Sequence, residues 1–229
     1  MSQLCKWLHD ELSMLPMIRD PFSLEDLPEN GIYFFYEEGE RWGHGAGKPR
    51  IVRIGSHRGQ ANLRSRISET YLLDEEKLSF GADKPKPADR SIFRKNLGRA
   101  LLNRRRDEYL RVWDIDFTLR ANKDEVTHLR DVLKERQLEQ EISRLLRDRF
   151  SFRAIAVDDR TQRTQLEKHL IGTVADCTRC SPSDEWLGRR SPQKKIGHGN
   201  LWQVQNLKAD PLGAREKEAV LRAINLTRA

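Results

Sequence analysis

The chain has 229 residues, 37% hydrophobic and 34% charged, and its apolar residues recur too regularly for a disordered chain. No apolar run approaches the length of a membrane span or of a signal peptide, so we expect no membrane partner and a cytoplasmic location. Lys and Arg outnumber Asp and Glu by 42 to 35, and the net charge of +7 favours a polyanionic partner such as a nucleic acid.

Hydrophobic periodicity predicts helices and strands in the first 90 residues. Leucines and Trp7 at helical spacing predict an N-terminal helix, and the apolar run after Asn30-Gly31 predicts a strand. A glycine-rich loop separates that strand from a second one. The predicted elements are a helix over residues 3–15, strands over 32–36 and 50–54, a helix over about 61–72 and a mobile loop over 81–89.

The remaining residues predict a second group of elements. Ser91 fits the N-cap of a helix whose buried face includes Phe93 and Leu97 and whose other face is basic, with Arg94, Lys95, Arg99 and Arg104. Alternating polarity predicts a strand at 113–119. The further predictions are a helix at 123–149 with a break near Arg136-Gln137, a strand at 152–157, a helix from about Thr164, a loop at 177–198, an edge strand at 201–204 and a helix at 214–224.

The three cysteines are too few for a disulfide framework. Cys177 and Cys180 form one Cys-x-x-Cys pair, and Cys5 is far away in the sequence. A structural zinc site usually needs four ligands, and adding His198 to the pair gives three. A pair of buried thiols is therefore favoured, and zinc stays open as an alternative.

Hydrolysis of a phosphodiester needs an activated water, a cation for the developing charge and a group that holds the phosphate. Two short motifs, Gly31-Ile32-Tyr33 and Arg53-Ile54-Gly55, precede helical segments at 62–67 and 166–171. In this order they resemble the paired signature of the GIY-YIG nuclease superfamily. The segments at 91–98 and 141–143 resemble those of bacterial members that carry an insertion, and the resemblance covers roughly residues 30–205.

The resemblance implies a fold and a division of the chain. The element order favours an α+β class with a small mixed or antiparallel sheet flanked by helices, and the resemblance implies a GIY-YIG-like core with a helical insertion. We expect one domain over 1–229. Its predicted parts are a helical extension at 1–27, the nuclease core at 30–175 with an insertion at about 73–150, and a C-terminal loop, strand and helix at 176–229.

The resemblance also implies catalytic roles. Tyr33 corresponds to the first signature tyrosine, which helps deprotonate the attacking water, and Arg66 to the arginine that contacts the scissile phosphate. Glu167 corresponds to the glutamate that holds one divalent metal ion, Mg²⁺ or Mn²⁺. The implied activity is that of a metal-dependent endonuclease acting on DNA, with RNA as the other substrate class left open.

The sequence departs from the family pattern near the second motif. Arg53 stands where the family usually has tyrosine, and Ser56 and His57 replace a frequent lysine. His57 is a candidate proton carrier or phosphate contact, and Tyr71 lies one position beyond the usual aromatic residue. The predicted nucleic-acid contacts are Arg53, Arg64 (two residues from Arg66 and easily confused with it), Tyr71 and Arg94.

Each of these residues also has a simpler interpretation. Tyr33 could pack against a sheet, and Glu167 stands three residues after Thr164, which fits a helix capping box. Two other functions stay open from the sequence alone. One is a nucleic-acid-binding module that keeps the fold with weakened catalysis, and the other is an interaction protein stabilised by zinc at Cys177 and Cys180.

Overall fold

The computed structural model describes residues 2–45, 47–57, 59, 62–71, 73 and 75–228. The strands are β1 (Gly31–Arg41), β2 (Pro49–Gly55) and β3 (Phe150–Ala156). The helices are α1 (Ser2–Leu12), α2 (Leu63–Thr70), α3 (Glu75–Leu78), α4 (Pro87–Arg90), α5 (Ile92–Arg105), α6 (Leu110–Trp113), α7 (Arg120–Val126), α8 (Val132–Arg149), α9 (Arg160–Ala175), α10 (Lys194–Gly197) and α11 (Ala214–Arg228). The expected ends of the second helix, Ala61 and Leu72, lie outside the described residues.

The three strands form one antiparallel sheet in the order β2-β1-β3, which confirms the predicted α+β class. Because β1 is central, its backbone is paired on both edges. In the register of the sheet, Tyr33 lies opposite Gly55 on β2 and opposite Ala154 on β3. The two signature motifs of the sequence therefore lie side by side, where β1 begins and β2 ends.

Alternate residues of β1 point into two separate hydrophobic cores, as the two-residue period of a strand requires. Tyr33 and Phe35 pack with α2, α5 and α8 on one face. Ile32 and Phe34 pack on the other face with α1, α9 and α11. The sheet is thus covered on both sides by helices, which explains why β1 reads as a continuous apolar run.

Helices α5 and α8 of the insertion are joined by a buried ion pair. Arg94 is fully buried and donates to Glu139 and to the hydroxyl of Ser143. Lys95 is also buried and pairs with Asp89. The predicted basic face of α5 is therefore wrong for its first turns, which lie inside the protein.

Two predictions for the insertion were wrong. Residues 113–119 form no strand, because Trp113 ends α6 and Asp116 accepts the N–H of Thr118 in a turn. The expected mobile loop at 81–89 includes the start of helix α4 and the fully buried Lys86, whose ammonium pairs with Asp89.

Three predicted boundaries also differ from the structure. The break expected near Arg136 lies instead at residues 127–131, and α8 runs unbroken through that position. Helix α9 begins at Arg160 rather than near Thr164. The segment at 201–204 has no strand ladder, although the N–H of Trp202 donates to the carbonyl of Val52 on the open edge of β2.

No described helix is both long and apolar enough to cross a membrane.

Candidate active site

A polar cleft of about 630 Å³ lies where β1 begins, β2 ends and α9 passes the sheet. Tyr33, His57, Arg66 and Glu167 all line it, so the four predicted catalytic residues lie together. A second depression of about 580 Å³ adjoins the first and shares Ser56, His57 and Arg66 with it. The cleft therefore extends from Glu167 past Arg66 towards α4 and α5.

The two signature glycines allow close packing where β1 begins and β2 ends. A Cβ atom on Gly55 would lie 2.5 Å from Cζ of Tyr33 and closer still to its hydroxyl, far inside van der Waals contact. A Cβ on Gly31 would collide with the carbonyl oxygen of Ile155 on β3. Gly55 thus leaves room for the ring of Tyr33, which lines the cleft, and Gly31 lets β1 lie close to the backbone of β3.

Glu167 is placed by the face of α9 that looks into the cleft. Arg160, Thr164 and Glu167 line the cleft together, and their spacing of four and three residues puts them on one side of a helix. The hydroxyl of Ser56 donates to the Glu167 carboxylate. Burial raises the pKa of Glu167, while Ser56, Arg53 and Arg66 oppose that shift.

The capping-box interpretation of Glu167 was wrong. The N-cap of α9 is Asp159, whose carboxylate accepts from the N–H of Gln162. The hydroxyl of Thr164 donates to the carbonyl of Arg160 inside the helix. Glu167 therefore lies in the middle of α9 and takes no part in its cap.

Arg53 forms one wall of the cleft beside Tyr33. Its guanidinium donates to the carbonyl of Trp202 at 2.6 Å and lies 4.7 Å from the ring centroid of Phe93. Burial lowers the pKa of Arg53, and the nearby Tyr33 opposes that shift. A positive charge thus occupies the position where the family pattern has a second tyrosine.

Arg66 is half-buried on α2 and lines the cleft together with Glu167. Among the described residues, its guanidinium donates to the carbonyl of Arg90 at 3.1 Å. The guanidinium group has five N–H donors and can bind a phosphate with two of them in parallel. The position fits the phosphate contact that the family resemblance implies.

His57 accepts a backbone hydrogen bond that the sequence did not predict. Its Nε2 accepts from the N–H of Gly31 at 3.1 Å, so that nitrogen carries no proton and the ring is a neutral Nδ1–H tautomer. Burial lowers the pKa of His57, and the nearby Arg163 lowers it further. The imidazole therefore links the end of β2 to the start of β1 and is poorly suited to carry a proton.

Arg163 holds the loop that carries Ser56 and His57. Its buried guanidinium donates to the carbonyls of Val157, Asp158 and Gly59. One side chain of α9 thus ties together the loop after β2 and the loop after β3. Nothing in the sequence singled out Arg163, because its acceptors are backbone atoms in two distant segments.

Two of the predicted nucleic-acid contacts, Tyr71 and Arg94, are buried away from the cleft. Tyr71 is fully buried and donates to the carbonyl of Phe150, and burial raises its pKa to about 12. Arg94 is fully buried against Glu139. These two predictions were wrong, because neither side chain can reach a ligand in this structure.

The contacts of Arg64 and Arg66 show which of the two side chains lines the cleft. Arg64 donates to the carbonyls of Leu27 and Glu25 and so fastens α2 to the N-terminal segment. Only Arg66 lines the cleft. The shift of two residues that the sequence left open is therefore settled in favour of Arg66 as the cleft residue.

The C-terminal segment supplies cleft residues that sequence reasoning missed. Gln203, Gln205 and Asn206 line the wall next to Arg53. Asn206 has a left-handed backbone with φ of 59°, which asparagine tolerates better than most residues. The sequence did not indicate these residues, because the chain returns to the cleft only well after the end of α9.

The described cleft lining is positively charged. Arg53, Arg66 and Arg160 face one carboxylate, that of Glu167. The adjoining depression adds Arg90, Lys95 and Arg99 against Glu69, Asp89 and Asp116. Such an excess of cations attracts a polyanion.

Fold and cleft together define an α+β domain whose site suits a phosphate-containing ligand. The family model described as GIY-YIG domain matches residues 3–221, and the chain belongs to the GIY-YIG domain family. Proteins of this family are endonucleases, so the chain is of the nuclease type. No curated protein and no solved structure matches the chain.

Proposed function

We propose that the protein is a metal-dependent endonuclease that hydrolyses phosphodiester bonds in DNA. The observation that carries the proposal is the meeting of Tyr33, Arg66 and Glu167 in one positively charged cleft. These side chains come from β1, α2 and α9, so only the folded chain brings them together. In this proposal Tyr33 orients the attacking water, Arg66 binds the phosphate and Glu167 binds a metal ion.

The cleft fits one Mg²⁺ or Mn²⁺ ion at Glu167. Among the described lining residues Glu167 is the one carboxylate, and Mg²⁺ commonly takes one or two carboxylates with waters and a substrate phosphate. The Ser56 hydroxyl fixes the orientation of that carboxylate. When bound there, the ion would neutralise charge that develops on the phosphate and leaving oxygens.

The residues around the carboxylate have separate tasks in this proposal. Arg66 holds the scissile phosphate through N–H groups of its guanidinium. Tyr33 orients the attacking water through its phenol oxygen, and the guanidinium of Arg53 lies beside Tyr33. His57 positions the start of β1 through Gly31 and does not carry a proton.

A nicking assay on supercoiled plasmid with Mg²⁺ or Mn²⁺ tests the activity and the metal role. The wild-type protein is expected to nick, and Glu167→Gln is expected to lose at least about 100-fold in rate. Glu125→Ala, at an exposed carboxylate on α7, serves as control and is expected to keep the wild-type rate. Unchanged cleavage by Glu167→Gln would overturn the metal assignment.

Matched pairs test the other two residues. Arg66→Ala is expected to lose about 100-fold or more in rate, whereas Arg64→Ala removes a neighbouring arginine that does not line the cleft. Tyr33→Phe is expected to lose about 100-fold. Its control is Tyr36→Phe, on the opposite face of β1. Equal losses within either pair would show that the effect is on folding rather than on the site.

Arg53 gives a second candidate function a specific basis. The guanidinium beside Tyr33 replaces the second signature tyrosine, so a nucleic-acid-binding module with weakened catalysis is the alternative. It predicts DNA binding whose affinity falls with salt concentration, and no metal-dependent nicking by highly purified protein. Binding with nicking that depends on Glu167 would eliminate this alternative.

A further inference from the structure

Three cysteines and one histidine form a compact cluster on the far side of the sheet from Arg66. Cys5 lies on α1, His44 in the connection between β1 and β2, and Cys177 and Cys180 just after α9. Their ligand atoms, one from each residue, all lie within 4.8 Å of one another. Cys5 is thus close to the Cys-x-x-Cys pair in space, although 172 residues separate it from Cys177.

The spacing within the cluster fits four ligands around a single ion. Tetrahedral zinc with Zn–S bonds of about 2.3 Å places two sulfur atoms about 3.8 Å apart. The Sγ atoms of Cys5 and Cys180 are 3.8 Å apart. Nε2 of His44 lies 3.2 Å from Sγ of Cys177, slightly inside the separation of about 3.5 Å that such a site gives for nitrogen and sulfur. All three cysteines are free thiols, so no disulfide competes for these sulfurs.

Gly43 allows close packing between the β1–β2 connection and the Cys-x-x-Cys turn. A Cβ atom on Gly43 would lie 2.6 Å from the carbonyl carbon of Arg179. Glycine at position 43 therefore lets the connection that carries His44 lie directly against the Cys-x-x-Cys turn.

His9 supports the cluster without being a ligand. Its Nδ1 lies 2.9 Å from the carbonyl oxygen of Cys5, and its Nε2 accepts from the N–H of Ile51. Because both ring nitrogens are engaged, neither has a lone pair free for a metal. The ring thus ties α1 to β2 and fixes Cys5 in position, as partners outside the ligand set do at metal sites.

We propose that Cys5, His44, Cys177 and Cys180 bind one structural Zn²⁺ ion. Three thiolates and an imidazole are a preferred zinc donor set, and Mg²⁺ takes oxygen ligands instead. Four protein ligands fill the tetrahedral shell and leave no position for water or substrate, so this ion has no catalytic role. A two-iron cluster would need its ligands in two pairs on separate irons, whereas all four atoms here lie within 4.8 Å of one another.

The proposed ion joins three segments that are far apart in the sequence. It would fasten α1 and the β1–β2 connection to the C-terminal end of α9, the helix that carries Glu167. Glu167 precedes Cys177 by ten residues, which places the two sites about 15 Å apart at 1.5 Å per residue. The zinc site is therefore separate from the cleft and would hold its metal when Glu167 is changed.

Metal analysis by mass spectrometry of the full chain, purified under reducing conditions without chelator, tests the proposal. About one zinc per chain is expected in the wild-type protein and in Glu167→Gln. Less than about 0.2 zinc is expected in Cys177→Ser and in His44→Ala, and His198→Ala is the matched histidine control, expected to keep its zinc. If a variant fails to fold, the zinc content of the wild-type protein alone decides.

Two further measurements give independent readouts. Replacement of the ion by Co²⁺ should produce the visible absorption bands of tetrahedral thiolate coordination. Removal of zinc with a strong chelator should lower the melting temperature by at least about 5 °C, because metal binding is coupled to folding. Three results for the wild-type protein would overturn the proposal. The first is an absence of zinc together with no uptake of Zn²⁺ or Co²⁺. The others are bound iron in place of zinc, and a disulfide among these cysteines.

Discussion

Replacing Gly55 with alanine tests the packing that places Tyr33 at the cleft. The new Cβ would lie 2.5 Å from Cζ and 2.8 Å from Cε2 of Tyr33, where about 3.5–4.0 Å is normal. The ring is 1% exposed and closely packed, so it can yield only by shifting its neighbours. Such overpacking costs about 1–3 kcal/mol, and we expect Gly55→Ala to lower stability by that amount.

The size of the effect can be separated from any general cost of alanine by a double-mutant cycle. In a Tyr33→Val background the ring is absent, and alanine at position 55 restricts the unfolded chain more than glycine does. Gly55→Ala should then stabilise by about 0.4–1 kcal/mol. The effect of Gly55→Ala on stability thus changes sign between the two backgrounds. The coupling free energy between the two positions should be roughly 1.4–4 kcal/mol.

Urea denaturation of the four proteins in the cycle measures these values, with the melting temperature as a second readout at about 2–4 °C per kcal/mol. Gly55→Ala should also reduce nicking more than its loss of stability explains, since the hydroxyl of Tyr33 would move. A coupling free energy near zero would refute the reasoning, because the glycine would then be required for something other than the ring.

Three further predictions concern the buried polar groups. Glu139→Ala should lower the free energy of unfolding by about 3–5 kcal/mol in urea denaturation, because it leaves the charge of Arg94 buried without its partner. Tyr71→Phe should cost about 1–3 kcal/mol by the same measurement and leave DNA affinity unchanged, since its hydroxyl bonds the carbonyl of Phe150 inside the core. Burial raises the pKa of Glu167 above its usual 4.5, and the protonated carboxyl does not bind metal. The Mg²⁺ concentration for half-maximal nicking should therefore rise as the pH falls towards that raised pKa. A concentration that stays constant down to pH 4.5 would contradict this.

The central sheet could be predicted because the features that define its strands lie close together in the sequence. The glycines that bracket the apolar run, and the two-residue period within it, fix β1 and its pairing with β2. The order of Tyr33, Arg66 and Glu167 along the chain then predicted which side chains would meet. The structure places all three in one cleft, although their chemical roles stay a proposal.

The errors arose where a distant partner decides the position of a side chain. Arg94 has the exposed-looking spacing of a basic face, yet Glu139, 45 residues further on, draws it into the core. Trp113 begins an alternating pattern typical of a strand. In the structure its indole donates to the carbonyl of Lys95 and its backbone ends a helix. Such contacts depend on packing between elements, which periodicity does not report.

Arg53, which stands in place of the second signature tyrosine, depends on the C-terminal segment for its hydrogen-bond acceptors. A guanidinium buried at position 53 must have acceptors, and the carbonyl of Trp202 and the side chain of Gln203 provide them. That segment is held in turn by the indole of Trp202, which donates to the buried carboxylate of Glu37 on β1. Arg53 and the wall at 202–206 therefore depend on each other. The single substitution Arg53→Tyr should lower stability rather than improve catalysis, because the carbonyl of Trp202 would lose its donor.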